Sequence, residues 1–329
     1  MGTEQSERRG TVNGGRKPGA DTAPVRKPEW LKKPFPSAVP LRKMEGLLRE
    51  RDLHTVCESA LCPNLGECFA RGTATFLIMG DVCTRDCGFC GVATGTPGEL
   101  EPSEPERVAD AAARLGLGHV VVTSVTRDDL ADGGAAHYVA TIRAIRTRLC
   151  EATVEVLVPD FSGQMESVEL VLAEGPEVFN HNVETVSRLY GMVRPQADYG
   201  RSVGLLRYAA ERATGLVKTG FMVGLGETED EVQVLLEDVA GAGAAVVTIG
   251  QYLRPSKRNL PVAEYVRPEV FERYRERGEA LGPQVHAAPF VRSSFQAGES
   301  FAQALQRRGK DTECLSQPRR STRWCSESG

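Results

Sequence analysis

No stretch of the 329-residue chain approaches the ~20 consecutive apolar residues that cross a bilayer, and the first residues lack the short apolar core of a secretory signal. Both absences predict a cytoplasmic protein. Neither sign of charge dominates: 40 Lys and Arg stand against 44 Asp and Glu, a formal charge of -4. Nothing global therefore draws the chain to nucleic acid or to an anionic membrane, and any partner must be recognised locally. Met1 to Lys33 holds few large apolar side chains and is expected to be largely disordered at its start. Glu4, Glu7, Asp21 and Glu29 interrupt that segment, unlike the acid-poor composition of a mitochondrial transit peptide. No internal sequence repeat is evident.

What is present is the composition of a globular enzyme, 41% hydrophobic and 26% charged, with apolar mass for one large core. From residue 73 onward, β-branched runs alternate with helically spaced segments, the pattern of βα units around a parallel sheet. Six strands are predicted, at Thr73–Gly80, His119–Ser124, Thr153–Pro159, Glu177–Asn182, Leu216–Val223 and Ala244–Leu253. Helices are predicted at Glu104–Leu115, Ala135–Leu149, Gln164–Ala173, Val183–Tyr190, Arg201–Ala213 and Glu227–Ala242. Ser103 with Glu106 reads as a capping box for the first helix and Gly116 as its stop. The fold class is α/β: a partial (βα)6 TIM-type barrel, open on one side, without a second independent domain. Chemistry in such folds collects at the carboxyl ends of the strands. Cys83, Cys87 and Cys90 follow the first strand, Arg127 to Gly134 the second, Pro159 to Phe161 the third, His181 to Glu184 the fourth and Gly224 to Thr228 the fifth.

Nine cysteines are distributed unevenly, six of them between Cys57 and Cys90. In a reducing compartment such a cluster in a large chain points to metal binding rather than disulfides. Cys150 reads as a buried small hydrophobe, and Cys314 and Cys325 as incidental thiols of the tail. The segment CTRDCGFC sets Cys83, Cys87 and Cys90 at Cys-x3-Cys-x2-Cys. Three thiolates hold three corners of a 4Fe-4S cube and leave one iron open. Zinc would need a fourth Cys or His, usually from a second Cys-x2-Cys pair that is missing here, and a ferredoxin also needs a fourth Cys.

That spacing resembles the radical S-adenosylmethionine superfamily. The resemblance implies that the open iron chelates the amino and carboxylate groups of S-adenosyl-L-methionine and cleaves it reductively to a 5'-deoxyadenosyl radical. A second triplet, Cys57, Cys62 and Cys68 in CESALCPNLGEC, stands at Cys-x4-Cys-x5-Cys. With both triplets the chain resembles the lipoyl synthase family, and the likeness continues to about residue 300 through VVVTSVTRDDLADGG, VLVPDF, FNHNVETV, VRPQADY, KTGFMVGLGETEDEV, IGQYLRPS and FVRSSF.

The resemblance implies two 4Fe-4S clusters per chain. The auxiliary one would be held by Cys57, Cys62, Cys68 and a serine of an RSSY-like motif, here Arg292, Ser293, Ser294 and Phe295, with Ser293 as the ligand. A serinate matches iron less well than a thiolate and is released more readily, which suits a cluster meant to be dismantled. The implied activity is insertion of two sulfur atoms at carbons 6 and 8 of a protein-bound octanoyl group, with the auxiliary cluster as donor. The implied partners are octanoylated lipoyl carrier proteins, namely 2-oxoacid dehydrogenase acyltransferase domains and the glycine-cleavage H protein, and an electron donor such as flavodoxin or ferredoxin. Unactivated C–H bonds lie beyond acid–base side chains, so a cofactor must break them while the protein positions and shields.

The secondary signals are Gly133 and Gly134, which would let backbone approach the methionyl part of S-adenosyl-L-methionine but also suit an ordinary turn. Gly224 and Gly226 invite the same two readings. Arg292 reads as a binder of an anionic or carbonyl group or as an organiser of the serine loop. His181 reads as a hydrogen-bonded structural histidine. Phe295 and Thr126 depart from the family pattern, where Tyr and Asp are common. The expected organisation is an extension at 1–47, the auxiliary-cluster segment at 48–72, the barrel at 73–285, the serine-ligand segment at 286–306 and a disordered tail at 307–329. Another sulfur-inserting enzyme of the superfamily acting on a free small molecule, in the manner of biotin synthase, and a non-catalytic iron-sulfur carrier are the competing readings. The Cys57, Cys62 and Cys68 triplet argues against the former.

Overall fold

The computed structural model describes residues 26–33, 38–71, 73–307 and 309. The disorder expected of the first residues and of the tail, and the thiols Cys314 and Cys325, lie outside the described residues. In chain order the strands are β1 (His54–Thr55), β2 (Thr75–Ile78), β3 (Val82–Cys83), β4 (Ala93–Thr94), β5 (His119–Ser124), β6 (Thr153–Leu157), β7 (Val178–Asn180), β8 (Leu216–Val223), β9 (Val246–Gln251) and β10 (Gln284–Ala287). One eight-stranded sheet runs β1-β2-β5-β6-β7-β8-β9-β10, and β3 pairs β4 beside it.

Every neighbouring pair from β2 to β10 is parallel, whereas β1 joins β2 antiparallel. Each main-sheet strand lies beside its predecessor, so successive βα units wind one way around a common axis. The six predicted strands are present, and a seventh parallel strand, β10, extends the partial barrel. Its crossover contains a helix, Pro268–Ala280, that was not foreseen. That helix buries only Phe271, Tyr274 and Gly278, so its apolar stripe is too sparse to mark a helix by periodicity.

Three local expectations are corrected. Val183–Tyr190 is not a helix: the chain runs on as loop, Glu184 takes a positive φ of 64° and bridges Phe221, and only Ser187–Leu189 and Tyr190–Val193 turn helically. Val183, Val186, Leu189 and Tyr190 are all buried, so tertiary packing rather than a helical face explains their spacing. Ser103 makes no cap bond; its Oγ accepts instead from Arg107 at 2.8 Å. The capping box that does form joins Thr228 and Glu231. Gly116 stops the Glu104–Leu115 helix as expected, with φ 65°. Cys150 is exposed, not buried, because it lies just beyond the Ala135–Arg148 helix in the turn to β6.

The two ends of the barrel are built differently. At the amino end, the last described helix, Ala297–Arg307, presses Phe301, Ala304 and Leu305 onto Val178, Leu216 and Val246, which stand at or near the starts of their strands. Phe301 stacks on His119, the first residue of β5, at 5.8 Å. Inside, Lys218 Nζ donates to Glu155 Oε1 at 3.0 Å and Asn180 Nδ2 donates to the same oxygen at 3.0 Å. Burial alone would raise the Glu155 carboxyl, but the Lys218 and His119 charges hold it down at about 2. The carboxyl end is open.

Candidate radical and sulfur site

At the carboxyl end of the strands lies a cavity of about 610 Å³ whose walls carry all six clustered cysteines together with Arg292 and Ser293. Cys83 ends β3, and Cys87 and Cys90 follow on the connection to β4. Cys57 lies in the short helix Val56–Ser59 after β1, and Cys68 in Leu65–Ala70. Because β1 pairs with β2, the upstream triplet is brought beside the strand that feeds the downstream one.

Burial, aided by neighbouring Cys62 and Cys68, pushes the Cys57 thiol up to about 12. Cys68 and Cys87 are raised to about 11 and Cys90 to about 12, burial again the largest cause. Several thiolates packed together out of water need a cationic centre to exist as thiolates. Among the described residues, no three His, Cys, Asp or Glu side chains converge on one point fit for a single metal ion. A polynuclear cluster spreads its ligands over separate irons. Two triads of thiols sharing one cavity wall fit that kind of group.

Backbone amides address the sulfurs. Thr126 N donates to Cys83 Sγ at 3.3 Å, Arg85 N to the same sulfur at 3.4 Å and Val92 N to Cys90 Sγ at 3.5 Å. Such bonds stabilise thiolate charge and tune a cluster's potential. Thr126 thus serves through its main chain, which any residue supplies, so the absence of the commoner Asp removes no donor.

Arg85, between Cys83 and Cys87, was not singled out by sequence. It is buried, donates from Nε and Nη2 to Asp128 at 2.7 and 2.8 Å, and lies 2.6 Å from the fully buried Asp160. Those carboxylates follow β5 and β6, so the cysteine loop is bolted to the ends of two barrel strands. Asp160 is drawn down to about 2 by Arg85 against the opposing effect of burial.

The serine loop closes onto the upstream triplet through a node that sequence reasoning also missed. Lys33 Nζ donates to Asn64 Oδ1 at 2.6 Å and to Glu67 Oε2 at 3.1 Å, while Asn64 Nδ2 donates to the Phe290 carbonyl at 2.7 Å. The ammonium stands 4.6 Å from the Phe290 ring centre and 5.6 Å from that of Phe295. A cation needs only the ring face, so Phe295 keeps this contact without the tyrosine hydroxyl. Ser293 Oγ donates to Asn182 Oδ1 at 2.7 Å.

Arg292 donates to the Val291 carbonyl at 2.6 Å, and burial lowers its pKa, against which the Cys62 and Glu184 charges act. His181 is bonded through Nδ1 to the Val158 carbonyl at 2.9 Å and pushed down to about 4 by burial. Its Nε2 is buried without a partner among the described residues, and the residue lines the cavity with Asn182, Glu184 and Arg194. The structure does not bring Gly133 and Gly134 to this wall. Their φ values of 62° and 90° serve a turn packed so closely that a Cβ on Gly134 would lie 2.3 Å from Met79 Sδ. Gly224 and Gly226, also at positive φ, lie outside the cavity lining too.

Comparison with known proteins agrees with this geometry. Residues 77–239 match the family model described as the Radical SAM superfamily. The chain resembles solved structures of Streptococcus suis SuiB bound to S-adenosylmethionine, at TM-score 0.51, 12% identity and coverage of 64% of this chain and 49% of that one. It also resembles methylornithine synthase, PylB, at TM-score 0.50, 14% identity and coverage of 74% and 73%. At such identities these likenesses speak to the fold alone. Fold and family model together define an enzyme of the radical S-adenosylmethionine superfamily, with the 4Fe-4S cluster and S-adenosylmethionine that membership implies.

Curated relatives narrow the class. Lipoyl synthase of Caldanaerobacter subterraneus subsp. tengcongensis is 56% identical over 275 residues, covering 83% of this chain and 96% of that protein. Lipoyl synthase of Methylococcus capsulatus is 50% identical over 308 residues, 91% and 95% of the two chains, and that of Thermus thermophilus 50% identical over 285, 85% and 88%. The chain belongs to the lipoyl synthase family, whose members are radical S-adenosylmethionine sulfurtransferases.

Proposed function

We propose that this chain inserts two sulfur atoms at carbons 6 and 8 of an octanoyl group borne on a lysine of a lipoyl carrier protein. The observation that carries the reading is the meeting of both cysteine triplets and Ser293 on the wall of one cavity. In this reading Cys83, Cys87 and Cys90 hold the superfamily cluster, and Cys57, Cys62, Cys68 and Ser293 hold an auxiliary 4Fe-4S cluster. When bound, these groups supply the reductive cleavage of S-adenosylmethionine and the sulfur atoms that replace two hydrogens.

The chain's own residues position and shield. The amides of Arg85, Val92 and Thr126 steady the sulfurs, and the Arg85 bridge to Asp128 and Asp160 keeps their loop rigid. Glu184 and Arg194 give the wall both signs of charge, a complement to a zwitterionic cofactor. Val56, Leu77, Phe89, Val125, Leu157 and Phe221 supply the apolar lining an octanoyl chain needs and keep water from a radical. Lys33 and Asn64 hold the serine loop against the upstream triplet.

Residues 48–72 are thus read as the auxiliary segment, 73–285 as the barrel and 286–306 as the serine segment. No helix among the described residues is long and apolar enough to cross a membrane. The reading places the enzyme in the cytoplasm, with acyltransferase domains of 2-oxoacid dehydrogenases or the glycine-cleavage H protein as substrates and flavodoxin or ferredoxin as electron donor. Anaerobic incubation with S-adenosylmethionine, dithionite and an octanoylated carrier tests it. The expected result is 5'-deoxyadenosine together with a carrier whose mass has gained two sulfur atoms; deoxyadenosine with an unaltered carrier would overturn the assignment.

A further inference from the structure

The cavity of about 610 Å³ accepts an acylated lysine side chain but not a folded protein. A carrier must therefore stay outside, with the surface around its lysine laid against the cavity rim. The chemistry of that rim sets the chemistry of the partner.

One rim segment is a preformed loop, residues 254–260, in which Arg254 and Pro255 line the cavity. Its shape is held from within. Arg254 Nε donates to the Asn259 carbonyl at 2.8 Å, Arg254 Nη2 to the Lys257 carbonyl at 2.6 Å, and Ser256 Oγ to Asn259 Oδ1 at 2.8 Å. It is also fastened to the radical cysteine loop: Asn259 Nδ2 donates to the Cys90 carbonyl at 2.6 Å and Leu260 N to the Gly88 carbonyl at 2.9 Å. Gly88 leaves room for this seat, since a Cβ there would lie 2.9 Å from Leu260. Tyr252 anchors the far end by donating to the Leu260 carbonyl at 2.8 Å.

At the tip of the rigid loop, Lys257 and Arg258 are exposed and form no ion pair among the described residues. Lys27, from the amino-terminal segment, adds an exposed cation to the same cavity lining. Leu61, 64% exposed at a φ of 51°, adds an apolar side chain from the upstream cysteine segment to that lining. In a chain of net charge -4, Lys257 and Arg258 are two adjacent exposed cations on a loop fastened to the radical cysteine loop. Fixed charges at a rim steer and orient an oppositely charged partner more than they add contact area.

We infer that the 254–260 loop is the docking surface for the acyl carrier substrate, with Lys257 and Arg258 gripping an acidic face beside the acylated lysine. The inference rests on the activity proposed above and adds to it the charge and place of partner recognition. Neither Lys257 nor Arg258 lines the cavity, so their replacement tests docking apart from chemistry.

The experiment uses the cluster-loaded full chain with dithionite as reductant, comparing an octanoylated carrier domain with a short uncharged peptide bearing octanoyl-lysine. In the K257E/R258E double variant, kcat/KM for the carrier should fall about tenfold or more, chiefly through KM, while turnover of the peptide stays within about twofold. The wild-type rate with the carrier should fall as salt rises, and the variant should lose most of that salt dependence. Lys257→Arg with Arg258→Lys should retain wild-type behaviour. Equal rates with the carrier, or equal losses with carrier and peptide, would overturn the docking assignment. So would a defect confined to assays driven by reduced flavodoxin, which would make the loop the electron donor's seat. Wild-type enzyme that converts neither substrate would instead sink the activity itself.

Discussion

The two ends of the barrel both bury charge-bearing groups, and they handle them in opposite ways. At the amino end, Glu155 and Lys218 satisfy each other, Asn180 adds a hydrogen bond, and the Ala297–Arg307 helix packs across the opening. At the carboxyl end, six free thiols face one cavity; burial and neighbouring thiols raise Cys57, Cys68, Cys87 and Cys90, and among the described residues no cation is paired with the six as a set. Paired burial belongs to the scaffold. Clustered, partly buried thiols shed their protons only when a positive group arrives to compensate them, which is what a metal-cluster ligand set requires. Arg85 stands between the two regimes, a fully paired cation inserted among the unpaired thiols.

The largest expected effect is at the open end. Cys87→Ala should abolish deoxyadenosine formation and lower iron from about eight to about four per chain, the content of one cubane. Cys57→Ala should lose a similar amount of iron yet keep cleaving S-adenosylmethionine while sulfur insertion disappears. If both variants lose both activities, the two triplets do not serve separate centres. Ser293→Ala should spare deoxyadenosine formation and impair sulfur insertion; wild-type lipoylation would count against its ligand role.

At the closed end, Lys218→Met should destabilise the fold by about 3–5 kcal/mol, because it strands a buried carboxylate. Adding Glu155→Leu should recover most of that loss, as chemical denaturation of the cluster-free chain would show. No such rescue is expected for the thiols, since their compensating charge is not part of the chain.

Arg85→Ala comes next. It leaves Asp160 buried without its closest cation and should cost about 2–4 kcal/mol, loosening the cysteine loop enough to change the cluster's paramagnetic spectrum. An unaltered spectrum would reduce Arg85 to a merely structural ion pair.

The acid limb separates the ends further. The Glu155 carboxyl titrates near 2 when folded, against an ordinary 4.5, so its contribution is complete above about pH 4.5 and is lost as pH falls towards 2. Over that window the wild type should shed a few kcal/mol more than Glu155→Gln; parallel stability curves would show that Lys218 does not hold the carboxyl down. The smallest effect is expected for Thr228→Ala, which removes one capping box near the cavity end. It should cost about 1 kcal/mol without changing iron content.

Much of the barrel was legible because its signals are local. His119–Ser124 and Leu216–Val223 are β-branched or apolar runs whose bounds match the structure to the residue. The Gly116 stop was readable for the same reason. The 183–190 segment misled because four buried apolar residues repeat at helical spacing in a loop shaped by Phe221 and the neighbouring strands. The strand β10 and the Pro268–Ala280 helix were hidden by a highly charged sequence, PEVFERYRERGEA, followed by only four strand residues.

The site divides along the same line. Spacing along the chain is enough by itself to propose which cysteines act together, since three thiols within eight or twelve residues can reach one inorganic cluster whatever surrounds them. A serine loop more than 220 residues from the upstream triplet could be assigned from sequence only by likeness to a family. That Lys33 and Asn64 clasp this loop, that Arg85 finds Asp128 and Asp160, and that a basic loop stands at the cavity rim were decided by the tertiary structure alone. Those contacts join segments brought together only when successive βα units wind in order around the barrel, and no local propensity encodes a meeting of that kind.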